Sequence, residues 1–156
     1  MKQTGLIVAL PKPTSYIAGQ ETTVKGKVLV PDGNWTPFLP KFERQSTPSF
    51  DTMSCASFSL ANVLEMVMKH LPLNTKQELF KLGFNQDFEI SKRALAIMSG
   101  TTAQGNTFER VLDTARNKGI VPESMLPFGG TSFAEYHNPA VITPAILDIA
   151  NKVTKL

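Results

Sequence analysis

This chain has little cysteine, little histidine and no long apolar run, and each shortage removes a class of protein. A single cysteine among 156 residues excludes an intrachain disulfide, so the fold does not rely on an oxidising compartment. One cysteine and two widely separated histidines, His70 and His137, do not make a ligand set, so neither a metal nor another cofactor is expected. The apolar stretch Gly5 to Leu10 is too short for a signal core or a membrane span, and Pro11 and Pro13 follow it at once. Charge of one sign is never concentrated. The 16 Lys+Arg and 13 Asp+Glu give a net +3, and Lys25, Lys41, Arg44, Lys92, Arg93, Arg110, Arg116 and Lys118 are scattered without a run or stripe. That pattern carries no nucleic-acid footprint and describes a solvated surface. The expectation is a soluble protein made in the cytoplasm, without a membrane or nucleic-acid partner.

What is present is an ordinary globular mixture, 42% hydrophobic and 19% charged, with ten Phe and six Met as core material. The length suits one domain that buries roughly two-thirds of its unfolded surface. Residues 1–50 are rich in Pro, Gly and Thr and read as an extended N-terminal arm. Two short strands are expected there, Leu6–Leu10 and Val24–Val30, with Pro31-Asp32-Gly33-Asn34 as a turn.

Residues 51–156 read as a helical domain. Asp51, Thr52 and Ser54 are candidate N-caps. Cys55, Phe58, Ala61, Leu64, Val67, Met68 and Leu71 then follow a 3.6-residue stripe that Pro72 ends. Thr75 to Glu78 has the form of a capping box for a short helix through about Leu82, with Gly83 as its stop. Ser91 opens a helix that stops at Gly100. Asn106 and Glu109 bracket the start of another, with Phe108, Val111, Leu112 and Ala115 on one face and Gly119 after it. Thr143-Pro144 pairs a cap with a first-turn proline before Ile146, Ile149, Ala150 and Val153.

Cys55 lies in the first turn of the strongest of these helices. A lone cysteine is usually a small buried hydrophobe. A helix N-terminus, however, offers unpaired N–H groups and the positive end of the dipole, both of which stabilise a thiolate and suit a nucleophile. On these residues alone both readings stay open.

The segment Phe50-Asp51-Thr52-Met53-Ser54-Cys55-Ala56-Ser57-Phe58-Ser59, continuing to Glu65, resembles the nucleophile helix of papain-like cysteine peptidases, which reads Gly-Ser-Cys-Trp-Ala-Phe-Ser and continues to a Glu. Ile90-Ser91-Lys92-Arg93-Ala94-Leu95 is similar to that family's short Leu-Ser helix. Gly105-Asn106 through Phe128, with Gly119-Ile120 and Glu123, resembles its Gly-rich turn, helix and Tyr-Pro-Tyr-like end. The three matches occur in family order. Pro11 to Thr14, Gly33-Asn34-Trp35 and Leu39 to Glu43 look more like the divergent papain-like proteins of bacteriophages than like secreted proteases.

The resemblance implies an α+β, mostly helical fold: a papain-like left-domain half-fold carrying the arm. It implies Cys55 as nucleophile and Gln45, ten residues earlier, as the amide of the oxyanion hole. Ala56 stands where the family has Trp. The family's base His and orienting Asn lie well over a hundred residues after the cysteine, whereas Leu156 is 101 residues past Cys55. His70 sits fifteen residues along the same helix, roughly 20 Å away, and cannot act as the base. His137 is the remaining candidate, although Pro139 follows it where the family begins a strand.

Two functions follow. One is a thiol hydrolase of peptide or amide bonds whose second half is cut off, removed by processing or held on another chain. The other is a non-catalytic structural or docking component of a bacteriophage particle, located in the virion. Either leaves an apolar face to be covered by a protein partner or by self-association.

Overall fold

The computed structural model describes residues 6–7 and 28–156. Over these the chain is mostly helical. Its α-helices are α1 (Cys55–Met68), α2 (Leu73–Lys81), α3 (Lys92–Met98), α4 (Phe108–Lys118), α5 (Phe133–Tyr136) and α6 (Pro144–Val153). Short 3-10 turns lie at Thr36–Phe38, Glu123–Met125 and Pro139–Val141. No strand forms among the described residues. Their β pairing amounts to isolated bridges such as Leu6 with Asn106 and Ile90 with Pro122. Positions 8–10 and 24–27 of the two expected strands, and Pro11 to Thr14, lie outside the described residues. Val30 ends in a bend, because the next turn claims it: Gly33 donates to the Val30 carbonyl with φ at 69°, a left-handed value suited to glycine.

Local chemistry sets most helix ends. Ser91 caps α3 by accepting from Ala94 N, and Thr143 caps α6 by accepting from Ile146 N with Pro144 in the first turn. Gly83, Gly100 and Gly119 follow α2, α3 and α4 in the left-handed region. Two starts differ from expectation. Helix α2 begins at Leu73, after Pro72, so Thr75 is inside the first turn and no capping box forms. Helix α4 is capped by Thr107, which accepts from Arg110 N. Asn106 is instead buried, its amide donating to the Ser99 carbonyl, Ser99 Oγ and Thr101 Oγ1.

Helix α1 packs against α3 and α4, which also pack on each other, and α6 lies against α4. One core joins Ala56, Ala61 and Met68 of α1 to Leu79, Phe84, Phe88, Ile90, Leu95, Val111 and Ile120. A second joins Ala94 and Met98 to Val121, Leu126, Ile146 and Ala150. Each fully buried Ile, Leu or Val contributes about 2 kcal/mol of apolar burial. At Gly119 a Cβ would fall 1.9 Å from the Ala150 carbonyl oxygen, so only glycine allows α4 to end against α6.

Two helix faces are rotated from the sequence expectation. On α4, Val111 and Thr114 are buried, while Phe108 and Leu112 are exposed. On α1 the buried set is Ala56, Ser57, Phe58, Ala61, Glu65 and Met68, while Val67 is exposed. Contact with two helices widens the buried arc of α1 until it takes in Glu65. That burial is tolerable because the carboxylate is paired within the protein. The stripe Ser59, Val63 and Val67, at four-residue steps from Cys55, faces solvent.

Candidate functional site

Cys55 is the first residue of α1 and is half-buried. The turn before it is built tightly. Asp51 Oδ1 accepts from Met53 N at 2.8 Å, and Ser46 bridges Asp51. Met53 is buried with φ at 54°, a left-handed conformation that costs a side-chain-bearing residue about 1 kcal/mol and persists only when its surroundings hold it. Ser54 occupies the cap position without capping. Its hydroxyl donates to the Thr52 carbonyl at 2.9 Å. The α1 amides therefore stay directed at the thiol end of the helix.

The other two residues singled out by sequence meet this turn at one residue, Thr52, through the peptide groups on either side of it. Thr52 N donates to the Gln45 carbonyl at 3.2 Å, so Gln45 reaches the site through its main chain. His137, just after α5, places Nε2 2.7 Å from the Thr52 carbonyl. That bond requires a proton on Nε2, and burial pushes the imidazole below its ordinary value, so the ring is neutral with its lone pair on Nδ1. Nδ1 is buried and makes no hydrogen bond. His137 thus clamps the turn, and its basic nitrogen is not engaged with the thiol. His70 lies past the far end of α1, edge-on to Trp35 with ring centres 5.6 Å apart and against Phe38 at 4.5 Å.

The thiol does not follow the expectation drawn from helix position. Its pKa is raised, first by burial and then by the Asp51 charge, against the lowering effect of the Ala56 and Cys55 amides. Desolvation outweighs the helix terminus, and the thiol is held protonated.

The burial of Glu65, which closes the first resembling segment ten residues along α1 from Cys55, was not legible in the sequence. Glu65 is buried, with Oε1 accepting from Ile90 N at 2.8 Å and from Lys92 Nζ at 2.7 Å. Lys92, also buried, pairs with Glu43 at 2.8 Å as well. Burial pushes the Glu65 carboxyl up, while two carboxylates hold the Lys92 ammonium above its ordinary value despite its burial. A cavity of about 220 Å³ opens here between Glu43 and Arg44, Phe58 of α1, Lys92 and Arg93 of α3, and Glu123, Phe128 and Tyr136. Glu123 stands at about 7, raised mainly by burial and further by Glu43 and Glu89, although it accepts from Phe128 N at 2.8 Å. Burial and the Glu123 charge hold the Tyr136 phenol high.

Comparisons of the chain with family models, curated proteins and solved structures gave no match. The site therefore rests on its own geometry. Glu65 and Ser91 draw the three resembling segments together: Ser91 N donates to the Val121 carbonyl, Ser91 Oγ to the Leu126 carbonyl, and Glu123 N to the Glu89 carbonyl. No group of three His, Cys, Asp or Glu able to hold a metal occurs among the described residues, and among them no helix is long and apolar enough to cross a membrane.

Proposed function

We propose that this chain is the nucleophile-bearing half of a papain-like thiol hydrolase, with Cys55 attacking the carbonyl of a peptide or amide bond. The observation that carries the reading is the presentation of Cys55: a half-exposed thiol at the first residue of a 14-residue helix, behind a turn held in a left-handed conformation at Met53. Thiolate attack gives a tetrahedral oxyanion, which collapses to a thioester as the amine leaves with a proton; water then releases the acid. The α1 amides favour the thiolate, and a general base must take the thiol proton. His137 Nδ1 makes no hydrogen bond to the thiol, so in this reading the base belongs to a second half of the fold, for which the exposed Ser59, Val63 and Val67 face is the docking side. The Gln45 amide serves the oxyanion in this reading.

A second reading is a non-catalytic docking or structural component of a bacteriophage particle built on the same half-fold; a thiol kept protonated by burial suits the non-catalytic part of that reading.

Labelling of Cys55 separates the two. A peptidyl chloromethyl ketone and iodoacetamide are compared from pH 5 to 10, each normalised to a free model thiol. The hydrolase reading expects the peptidyl reagent to gain a rate advantage at Cys55, with the inflection kept alkaline in this chain by burial of the thiol. Equal normalised rates for the two reagents would overturn it and leave the docking reading.

A further inference from the structure

We infer that segment 34–45 is a strap latched by charge, and that its latch fixes the turn presenting Cys55. The strap runs antiparallel to α1, from the helix C-terminus back to its start. At one end Trp35 and Phe38 close on His70, and Lys69 Nζ donates to the Phe38 carbonyl at 3.4 Å. Midway, Lys41 stands 3.6 Å from Glu89 and 3.8 Å from Asp87. Next comes Glu43, 2.8 Å from Lys92. Two residues on, the Gln45 carbonyl takes the Thr52 N–H, and Ser46 bridges Asp51.

These contacts differ in strength. The Lys41 pairs are exposed and long, so they hold the strap weakly. The Glu43–Lys92 pair is short and its ammonium is buried, with a side chain only 4% exposed. A pair of that kind is the contact whose loss is felt. The strap passes directly from Glu43 into the main-chain bonds of the Cys55 turn. Opening the latch therefore frees the Gln45–Thr52 bond, which helps hold Met53 left-handed. His137 clamps the next peptide group, between Thr52 and Met53, and keeps its bond to the Thr52 carbonyl. The device is independent of whether Cys55 is a nucleophile or a packing residue.

The test is Glu43→Gln, which keeps the shape and removes the charge. Emission of Trp35, the single tryptophan of the chain, reports the strap. Amide exchange at Thr52 reports the turn, and the iodoacetamide rate at Cys55 reports the thiol. A red shift at Trp35 with roughly fivefold faster exchange and alkylation is expected. A Trp35 shift with an unchanged Cys55 rate overturns the coupling, and no change in any readout overturns the latch. Glu43→Asp, which keeps the charge but draws it back from Lys92, keeps the test open should Glu43→Gln fail to fold. There too Trp35 emission and the Cys55 rate must move together, and movement of one alone or of neither overturns the strap.

Discussion

Replacing Glu123 with glutamine isolates what a carboxyl costs when it is held away from water beside other carboxylates. Glu123 ionises at about 7 in the folded chain, against an ordinary value of 4.5, with burial as the first cause and Glu43 and Glu89 adding to it. Lys92 and the Phe128 amide pull the other way and do not win. The folded state therefore holds a proton that the unfolded chain releases near 4.5. Below that pH both states are protonated and the group is neutral to stability. From there to about 7 the unfolded chain binds fewer protons than the folded one, so stability falls as pH rises, and above about 7 the full cost is present.

At about 1.36 kcal/mol per pH unit the displacement sets a ceiling of roughly 3 kcal/mol. The side chain is partly exposed, and solvent screening reduces the expectation to about 1–2 kcal/mol. Glutamine cannot ionise, and its carbonyl oxygen can still accept from Phe128 N. The Glu123→Gln chain should thus match the parent at pH 4 apart from a constant offset, and gain about 1–2 kcal/mol on it by pH 8. Urea unfolding followed by far-ultraviolet circular dichroism at pH 4, 6 and 8 measures the difference. The same difference at pH 4 and pH 8 would refute the reasoning, because it would mean that Glu123 titrates alike in the folded and unfolded chains.

Two further substitutions test packing. Gly119→Ala drives a Cβ to 1.9 Å from the Ala150 carbonyl oxygen at φ 89°, whereas at Gly83, with φ 97°, a Cβ meets only Pro122 Cγ at 3.5 Å. Thermal melts should show a loss of about 3 kcal/mol or more for Gly119→Ala and about 1 kcal/mol for Gly83→Ala; equal losses would show that α4 does not depend on its close approach to α6. The Tyr136 hydroxyl is buried beside Ser54 without a well-formed hydrogen bond, so Tyr136→Phe should leave the urea midpoint within about 0.5 kcal/mol of the parent or raise it. A loss of 2 kcal/mol or more would show that the Ser54 contact is a real bond.

The parts of this molecule legible in its sequence are those decided within a few residues. Ser91, Thr143-Pro144 and the glycines after α2, α3 and α4 announce their helix ends because a cap needs only its own turn. Cys55 at the start of α1 was legible for the same reason. The face that α1 buries was not. Glu65 looks like a surface residue until Lys92, 27 positions later, and the Ile90 amide come to it. Phe108 and Leu112 look like core until α4 is turned by the partners of Val111. The helical character of the domain was expected, but the β element of the expectation has no strand to support it among the described residues.

The candidate site divides along the same line. Gln45, Cys55 and His137 were each picked for a side chain, yet Gln45 and His137 are joined through the main-chain N–H and carbonyl of Thr52, by a carbonyl and a ring nitrogen that no spacing rule exposes. The direction of the thiol's pKa was lost in a similar way. Helix position is written in the sequence and argues for a thiolate, while desolvation depends on the folded surroundings and outweighs it. The charge that organises this region is the ammonium of Lys92, shared by Glu65 of α1 and Glu43 of the strap. Removing either carboxylate leaves Lys92 with one partner, whereas removing the ammonium leaves two carboxylates facing each other near Glu123, so the region depends more on its single buried cation than on any one of its acids.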